Sequence, residues 1–306
     1  MDALLDIPGP LDLARTLSRF QTWGEDPVNR VSEGVFRRAV RVDGAWHAYE
    51  LRWTGGPDDA QVRVTVPGAR SPHVLAAAVG EARRLCGADL DLESFYLAAK
   101  TDRVLGELVP HFRGLRPTLM PEPFDMLVSA ICAQQVNLSF AFALRASLVR
   151  RYGTRLETAG EPLFAFPEPA ALARAQVRHL RAMKFSGRKA EYIVGLARRV
   201  ASGELDLSGL AERSNEDIIE TLTAVRGLGR WTAEWFIARG LGRGDVCPAG
   251  DLAVRKAFER FYNRGRPLSE RAIRRRAARW GAHQNLAVHY LLAGLRLARA
   301  TTGGGA

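Results

Sequence analysis

The residues best suited to chemistry cluster in Val225-Arg226-Gly227-Leu228-Gly229-Arg230-Trp231-Thr232-Ala233, with a carboxylate, Asp251, 22 residues beyond Gly229. Two glycines bracket one apolar residue, Leu228, and a helical pattern starts at once. Glycine permits unusual backbone angles and close approach of a ligand. Free N–H groups at the start of the second helix then form an anion site suited to one phosphate, without any side-chain charge. Leu228 pins the turn to the core. A plain helix–helix corner with a glycine C-cap would carry the same Gly-x-Gly, so this pattern alone does not decide. Asp251 also has two compatible readings. Asp is a good N-cap, and the helix dipole favours a fixed negative charge there. Such a carboxylate can stabilise developing positive charge or orient water. Asp245, the rival nearby, is read as structuring the loop.

These residues need helices to hold them. Ser214 with Asp217 resembles a capping arrangement for the helix before the hairpin, which buries Ile218, Ile219, Leu222 and Val225. From about residue 91 to 299 helical periodicity prevails, as in Phe124, Leu127, Val128 and Ile131 at i, i+3, i+4 and i+7. Asn137 can cap a helix that ends at Gly153. Gly/Pro punctuation then separates helices at about 168–183, 187–202, 215–225, 231–239, 252–263, 269–280 and 284–299. The first hundred residues differ. Val35–Val42, Asp43-Gly44 and Ala45–Trp53 read as a hairpin with a tight turn. Val62, Val64 and Val66 alternate as a third strand, and Pro72–Cys86 reads as a helix. A short helix over Pro10–Phe20 precedes the strands. The expected fold is α+β: a small N-terminal antiparallel-sheet domain over residues 1–105, then an all-α helix-hairpin-helix region over 106–300. A small, Gly-rich tail over 301–306 is expected to be disordered.

Composition narrows the partners. The chain has 306 residues and a formal net charge of +11. A basic chain suits a polyanion, because neutralising phosphates releases condensed counterions. Acidic membranes and acidic proteins suit the same field. Only four of the basic residues are lysines, at 100, 184, 189 and 256, so the charge is mostly arginine. No apolar run approaches the ~20 residues of a membrane span. The start lacks the basic region of a signal peptide, and a cytoplasmic protein is expected. Cys86, Cys132 and Cys247 are far apart and form no CxxC, which argues against zinc or iron–sulfur sites.

The segment Gly227-Leu228-Gly229-Arg230-Trp231-Thr232-Ala233, followed by Asp245-Val246 and Gly250-Asp251, resembles the helix-hairpin-helix DNA glycosylase superfamily. Within it the likeness is to the AlkA-type DNA-3-methyladenine glycosylase II family. Upstream, Gly114-Leu115-Arg116-Pro117, Pro123-Phe124-Asp125, Ile131-Cys132-Ala133-Gln134-Gln135-Val136-Asn137 and Gly187-Arg188-Lys189-Ala190-Glu191-Tyr192 are similar to family segments in the family's order. The likeness is specific over about residues 112–260. Over 1–100 it rests on the α+β pattern.

The resemblance implies a monofunctional enzyme that flips alkylated bases (3-methyladenine or 7-methylguanine type) out of duplex DNA and hydrolyses the N-glycosidic bond, starting base excision repair. It implies two helical subdomains over 106–300, with the site between them, and places the catalytic aspartate at Asp251. Related bifunctional enzymes carry a lysine just past the hairpin, where this chain has Trp231, so no lyase step is expected. Substrate contacts fall on Trp231, Gln135 and His283, and DNA-phosphate contacts on Gly227, Leu228, Gly229, Arg230 and Thr232. Gln135 is the implied wedge that fills the gap left by the flipped base. The family often has Leu there, and Gln134-Gln135 reads equally well as helix-end amides capping backbone groups. His283 stands where relatives often have Trp or Tyr. Trp235, Trp280 and Tyr290 read as packing. No cofactor is required. A structural monovalent cation (Na⁺ or K⁺) is implied at the carbonyls of Thr223, Val225 and Leu228, with Arg226 in the usual place of a proline. The implied partner is damaged double-stranded DNA, with no obligate protein partner and a monomer as default. The alternatives are a glycosylase for uracil or oxidised purines, and a non-catalytic helix-hairpin-helix DNA-binding protein.

Overall fold

The computed structural model describes residues 1–158 and 162–303. Asp43 (φ 48°) and Gly44 (φ 81°) are both left-handed, so they close a tight hairpin between strands β3 (Val35–Val42) and β4 (Ala45–Thr54). Three more strands join them: β1 (Asp2–Leu5), β2 (Arg30–Ser32) and β5 (Gln61–Thr65). The antiparallel sheet has the order β1-β5-β4-β3-β2. Its inner face carries Phe36, Val40, Tyr49, Leu51, Val62 and Val64, packed on Val74, Ala78, Ala82 and Leu85 of the helix Pro72–Leu85. The expected order of a helix and then three strands is thus incomplete. β1 precedes that helix and β2 follows it; both lie on sheet edges and are too short to show alternation.

Among the described residues the helical remainder has two large apolar cores. One gathers Leu127, Ile131, Leu148, Ile193, Leu222, Leu228 and Phe236. The other gathers Phe95, Leu105, Val254, Phe258, Ile273 and Leu291. The helices Leu92–Ala99 and Arg103–His111 pack with the C-terminal helices, not with the sheet. Core membership therefore changes between residues 86 and 92, and a boundary at 105/106 cuts through the second core. Two further short strands, β6 (Thr154–Leu156) and β7 (Leu163–Ala165), interrupt the helical region. The last helix runs Gln284–Gly303, so it enters the tail expected to be disordered; residues 304–306 lie outside the described residues.

Polar contacts lock the sheet domain to the helices. The buried Arg145 guanidinium bonds Asp26 (2.6 Å) and Asp125 (2.6 Å), joining the N-terminal segment to the helices Pro123–Ala133 and Leu138–Tyr152. Arg116 is fully buried and donates to the carbonyls of Pro10, Gly87 and Leu90. Among the described residues no helix is long and apolar enough to cross a membrane.

Candidate active site

Asp251 is the N-cap of the helix Leu252–Tyr262. Its Oδ1 accepts from the backbone N–H groups of Ala253 (2.8 Å) and Val254 (3.1 Å). That leaves Oδ2 to face the rest of the molecule, and two indoles meet it. Trp231 Nε1 donates at 2.8 Å and Trp235 Nε1 at 3.1 Å. The two tryptophans lie one turn apart on the helix Arg230–Trp235, so their side chains leave the same face. Four N–H donors and a helix N-terminus thus hold one carboxylate, and charge-assisted bonds of this kind are among the stronger ones available. Trp235 packs against both helical cores. Asp251 and Trp231 are half-buried, and Leu252 beside them is 64% exposed. The carboxylate therefore stands at a solvent-reached edge of the junction between cores. Behind it, the Arg239 guanidinium lies 5.2 Å from the Trp235 ring centroid.

The hairpin follows from its glycines. Gly227 has φ +96°, and a Cβ there would stand 2.2 Å from Tyr192 Cγ on the helix Gly187–Ala201. Only glycine lets that turn sit on Tyr192. Gly229 has ordinary extended angles, and a Cβ added there would meet nothing within 4 Å, so its surface side is open. It caps the second hairpin helix without a side-chain hydrogen bond, leaving the first N–H groups of that helix to an outside acceptor. Leu228 is buried in the first core and pins the turn as expected. Arg226 turns onto the helix Gly187–Ala201, pairing with Glu191 (3.0 Å) and lying over Tyr192.

At the turn after the helix Pro123–Ala133, the two glutamines separate. Gln134 is the C-cap, and its amide donates to the Gly227 carbonyl at 2.8 Å. Gln135 is exposed, with φ +54°. The backbone-capping role thus falls to Gln134, and Gln135 is left at the tip.

Residues 128–283 match the family described as HhH-GPD superfamily base excision DNA repair protein. The chain belongs to the HhH-GPD superfamily. It is 32% identical over 203 residues to the DNA-3-methyladenine glycosylase of Bacillus subtilis (strain 168), covering 66% of this chain and 67% of that one. It is 30% identical over 187 residues to DNA-3-methyladenine glycosylase 2 of Escherichia coli (strain K12), covering 61% and 63%. The chain thus spans about two thirds of the length of these two curated relatives. The solved 3-methyladenine DNA-glycosylase from Archaeoglobus fulgidus superposes with a TM-score of 0.85 at 29% identity, over 96% of this chain and 98% of that one.

Within this HhH-GPD chain the other expected residues scatter. The Arg230 guanidinium bonds Glu234 (2.9 Å) yet stays more than half exposed. Thr232 is 1% exposed and its hydroxyl is buried, so its side chain cannot take a surface phosphate. Glu234, missed in the sequence, is buried and also takes Arg274, which ties the hairpin to the helix Glu270–Ala277. His283 lies beside Phe95, ring centroids 6.0 Å apart. Trp280 packs at a tilt against Phe258 and Tyr262, and Tyr290 is buried against Phe95, both packing as expected. Trp235, expected only to pack, is a direct partner of Asp251. Asp245 is exposed. The loop is held instead by Arg243, bonded to Asn215, Ala211 and Arg213, and by Asn285, which takes the Ala238 and Arg243 carbonyls. Burial pushes all three thiols up to about 12, which keeps them from acting as thiolates.

Proposed function

We propose that this chain is a monofunctional DNA glycosylase that hydrolyses the N-glycosidic bond of alkylated bases, of the 3-methyladenine and 7-methylguanine type, in duplex DNA. The observation that carries this reading is Asp251, clamped between a helix N-terminus and two indole N–H groups at the mouth of the junction. As the bond breaks, positive charge develops on the deoxyribose. A carboxylate already oriented stabilises that charge with no reorganisation at the moment of reaction. Water then adds to C1′ and its proton leaves to Asp251 or to solvent. The departing base takes the bonding electron pair, and one that carried a positive charge leaves neutral.

The rest of the site supports the same reading. The N–H groups after Gly229 suit a DNA phosphate, with Gly227, Leu228 and Arg230 shaping that surface. Gln135 at its exposed tip is the wedge that replaces the extruded base. The half-exposed Trp231 ring can stack an electron-poor base, with His283 as a further substrate contact. Thr223 ends the first hairpin helix (Asn215–Thr223), so its carbonyl lacks a helical partner; the Val225 carbonyl takes the Leu228 N–H at 3.0 Å and keeps a lone pair. With Leu228 these oxygens suit a Na⁺ or K⁺ ion that would stiffen the turn. The chain would act as a monomer at the DNA itself, in the nucleoid.

A non-catalytic DNA-binding role accounts for the two N-cap bonds of Asp251 but leaves the two indole donors on its Oδ2 without a purpose. The test is base release from a panel of duplexes carrying alkylated, deaminated or oxidised bases. Release of 3-methyladenine or 7-methylguanine is expected. Release of none overturns the enzyme reading, and release of uracil or 8-oxoguanine alone overturns the substrate class.

A further inference from the structure

The turn that carries Gln135 and the turn that carries Gly227–Gly229 are 93 residues apart in sequence, as counted between Gln134 and Gly227, yet one hydrogen bond joins them. Gln134 Nε2 donates to the Gly227 carbonyl at 2.8 Å. We propose that Gln134 is a positioning residue that couples the phosphate hairpin to the base-displacing turn, so that seating the DNA backbone on one aims Gln135 on the other.

Three observations support this. First, Gln134 and Gln135 are consecutive but opposite in role: one is half-buried and bonded, the other exposed in a left-handed conformation. A non-glycine residue held at positive φ is uncommon, and it persists only where neighbours determine it. The bond from Gln134 is such a determinant. Second, the helix Gly187–Ala201 touches both turns. Lys189 is 9% exposed and its ammonium donates to the Cys132 carbonyl at 2.8 Å, at the end of the helix leading to Gln134. Three residues on, Tyr192 is the seat against which Gly227 packs. Third, Gly227 cannot shift toward Tyr192, because even a Cβ does not fit there. Gly227 is thus blocked on the side that faces Tyr192, and the bond from Gln134 to its carbonyl is a direct contact through which displacement of the hairpin reaches the other turn.

A bond to a backbone carbonyl is worth about 1 kcal/mol net, or about fivefold in a rate it governs. Gln134→Met keeps the volume and removes the donor. Gln134→Lys keeps a donor on an unbranched stem. Each is measured in the full chain with a duplex carrying 2-aminopurine at the target position, whose fluorescence rises on extrusion, and by single-turnover excision from duplex and from single-stranded alkylated DNA. The excision arm rests on the glycosylase reading; the fluorescence arm requires no chemistry, so the two can fail separately. Gln134→Met is expected to slow extrusion and duplex excision about fivefold, to leave excision from single strands unchanged, and to be restored by Gln134→Lys. Unchanged extrusion, or an equal loss on duplex and single strand, would overturn the coupling. If Gln134→Met does not fold, a folded Gln134→Lys that has lost extrusion overturns it equally, and one that extrudes normally supports it.

Discussion

Trp231 Nε1 donates to Asp251 Oδ2 across 2.8 Å, which links the first turn of the second hairpin helix to the N-terminus of the helix Leu252–Tyr262. The hairpin proposed to meet the DNA backbone and the carboxylate proposed to meet the sugar are therefore joined directly by a hydrogen bond. Trp235 completes the link from the same helix face.

Replacing either tryptophan by phenylalanine removes its N–H while keeping an aromatic ring in place. A hydrogen bond to a charged group is worth about 1.5–3 kcal/mol, so Trp231→Phe and Trp235→Phe should each slow single-turnover excision about 10- to 100-fold. DNA affinity should change little. Rates equal to wild type for both variants would show that the clamp does not orient Asp251.

The two hairpin glycines should fail differently. Gly227→Ala drives a Cβ into Tyr192 at a positive φ, and should cost about 2–4 kcal/mol of stability. Gly229→Ala meets nothing within 4 Å and has an ordinary φ of −115°. Its melting temperature should match wild type while its DNA affinity falls, because the added methyl occupies the side open to a phosphate. A binding titration beside a thermal melt separates the two.

Sequence and structure agree where local chemistry decides. Asp43-Gly44 closes its hairpin, Asn137 caps its helix through Phe140 N–H, and Asp251 is both cap and candidate catalyst. The strands β1 and β2, only a few residues long on sheet edges, owe their pairing to neighbours far along the chain and leave no periodic trace. Trp235 reads as packing in the sequence because aromatics at helical spacing usually pack. Its i, i+4 relation to Trp231, the better signal, places both indoles on one face toward Asp251. Nothing local distinguishes Gln134 from Gln135, since the partner of Gln134 lies on the distant hairpin.

Acid should expose the lock between sheet and helices. Burial alone would raise the Asp26 carboxyl, but the Arg145 guanidinium and the Asn29 amide outweigh it and hold it below its ordinary value. A folded-state value below the unfolded one means stability is present above pH ~3.8 and is lost as pH falls through the folded value. Melting temperature against pH should therefore drop below about pH 4 in wild type. Asp26→Asn should be less stable at neutral pH by about 3–5 kcal/mol, with a flatter acid limb. An unchanged acid limb would contradict this account of the lock.

The lyase step should be absent. Lys189 is committed to the Cys132 carbonyl, Lys256 is exposed within the helix Leu252–Tyr262, and Trp231 stands just past the hairpin. Borohydride added to the protein with abasic-site DNA should trap no covalent complex, and the strand should stay intact. A trapped Schiff base would refute the monofunctional assignment.

Asp251→Asn tests the central claim most directly. Asparagine can keep the N-cap bond through its oxygen, but it removes the charge and turns an NH₂ donor toward the two indole N–H donors. Single-turnover release of 3-methyladenine from alkylated duplex DNA should fall by about 100-fold or more, while duplex affinity stays near wild type. Release by a folded Asp251→Asn protein at the wild-type rate would contradict the account.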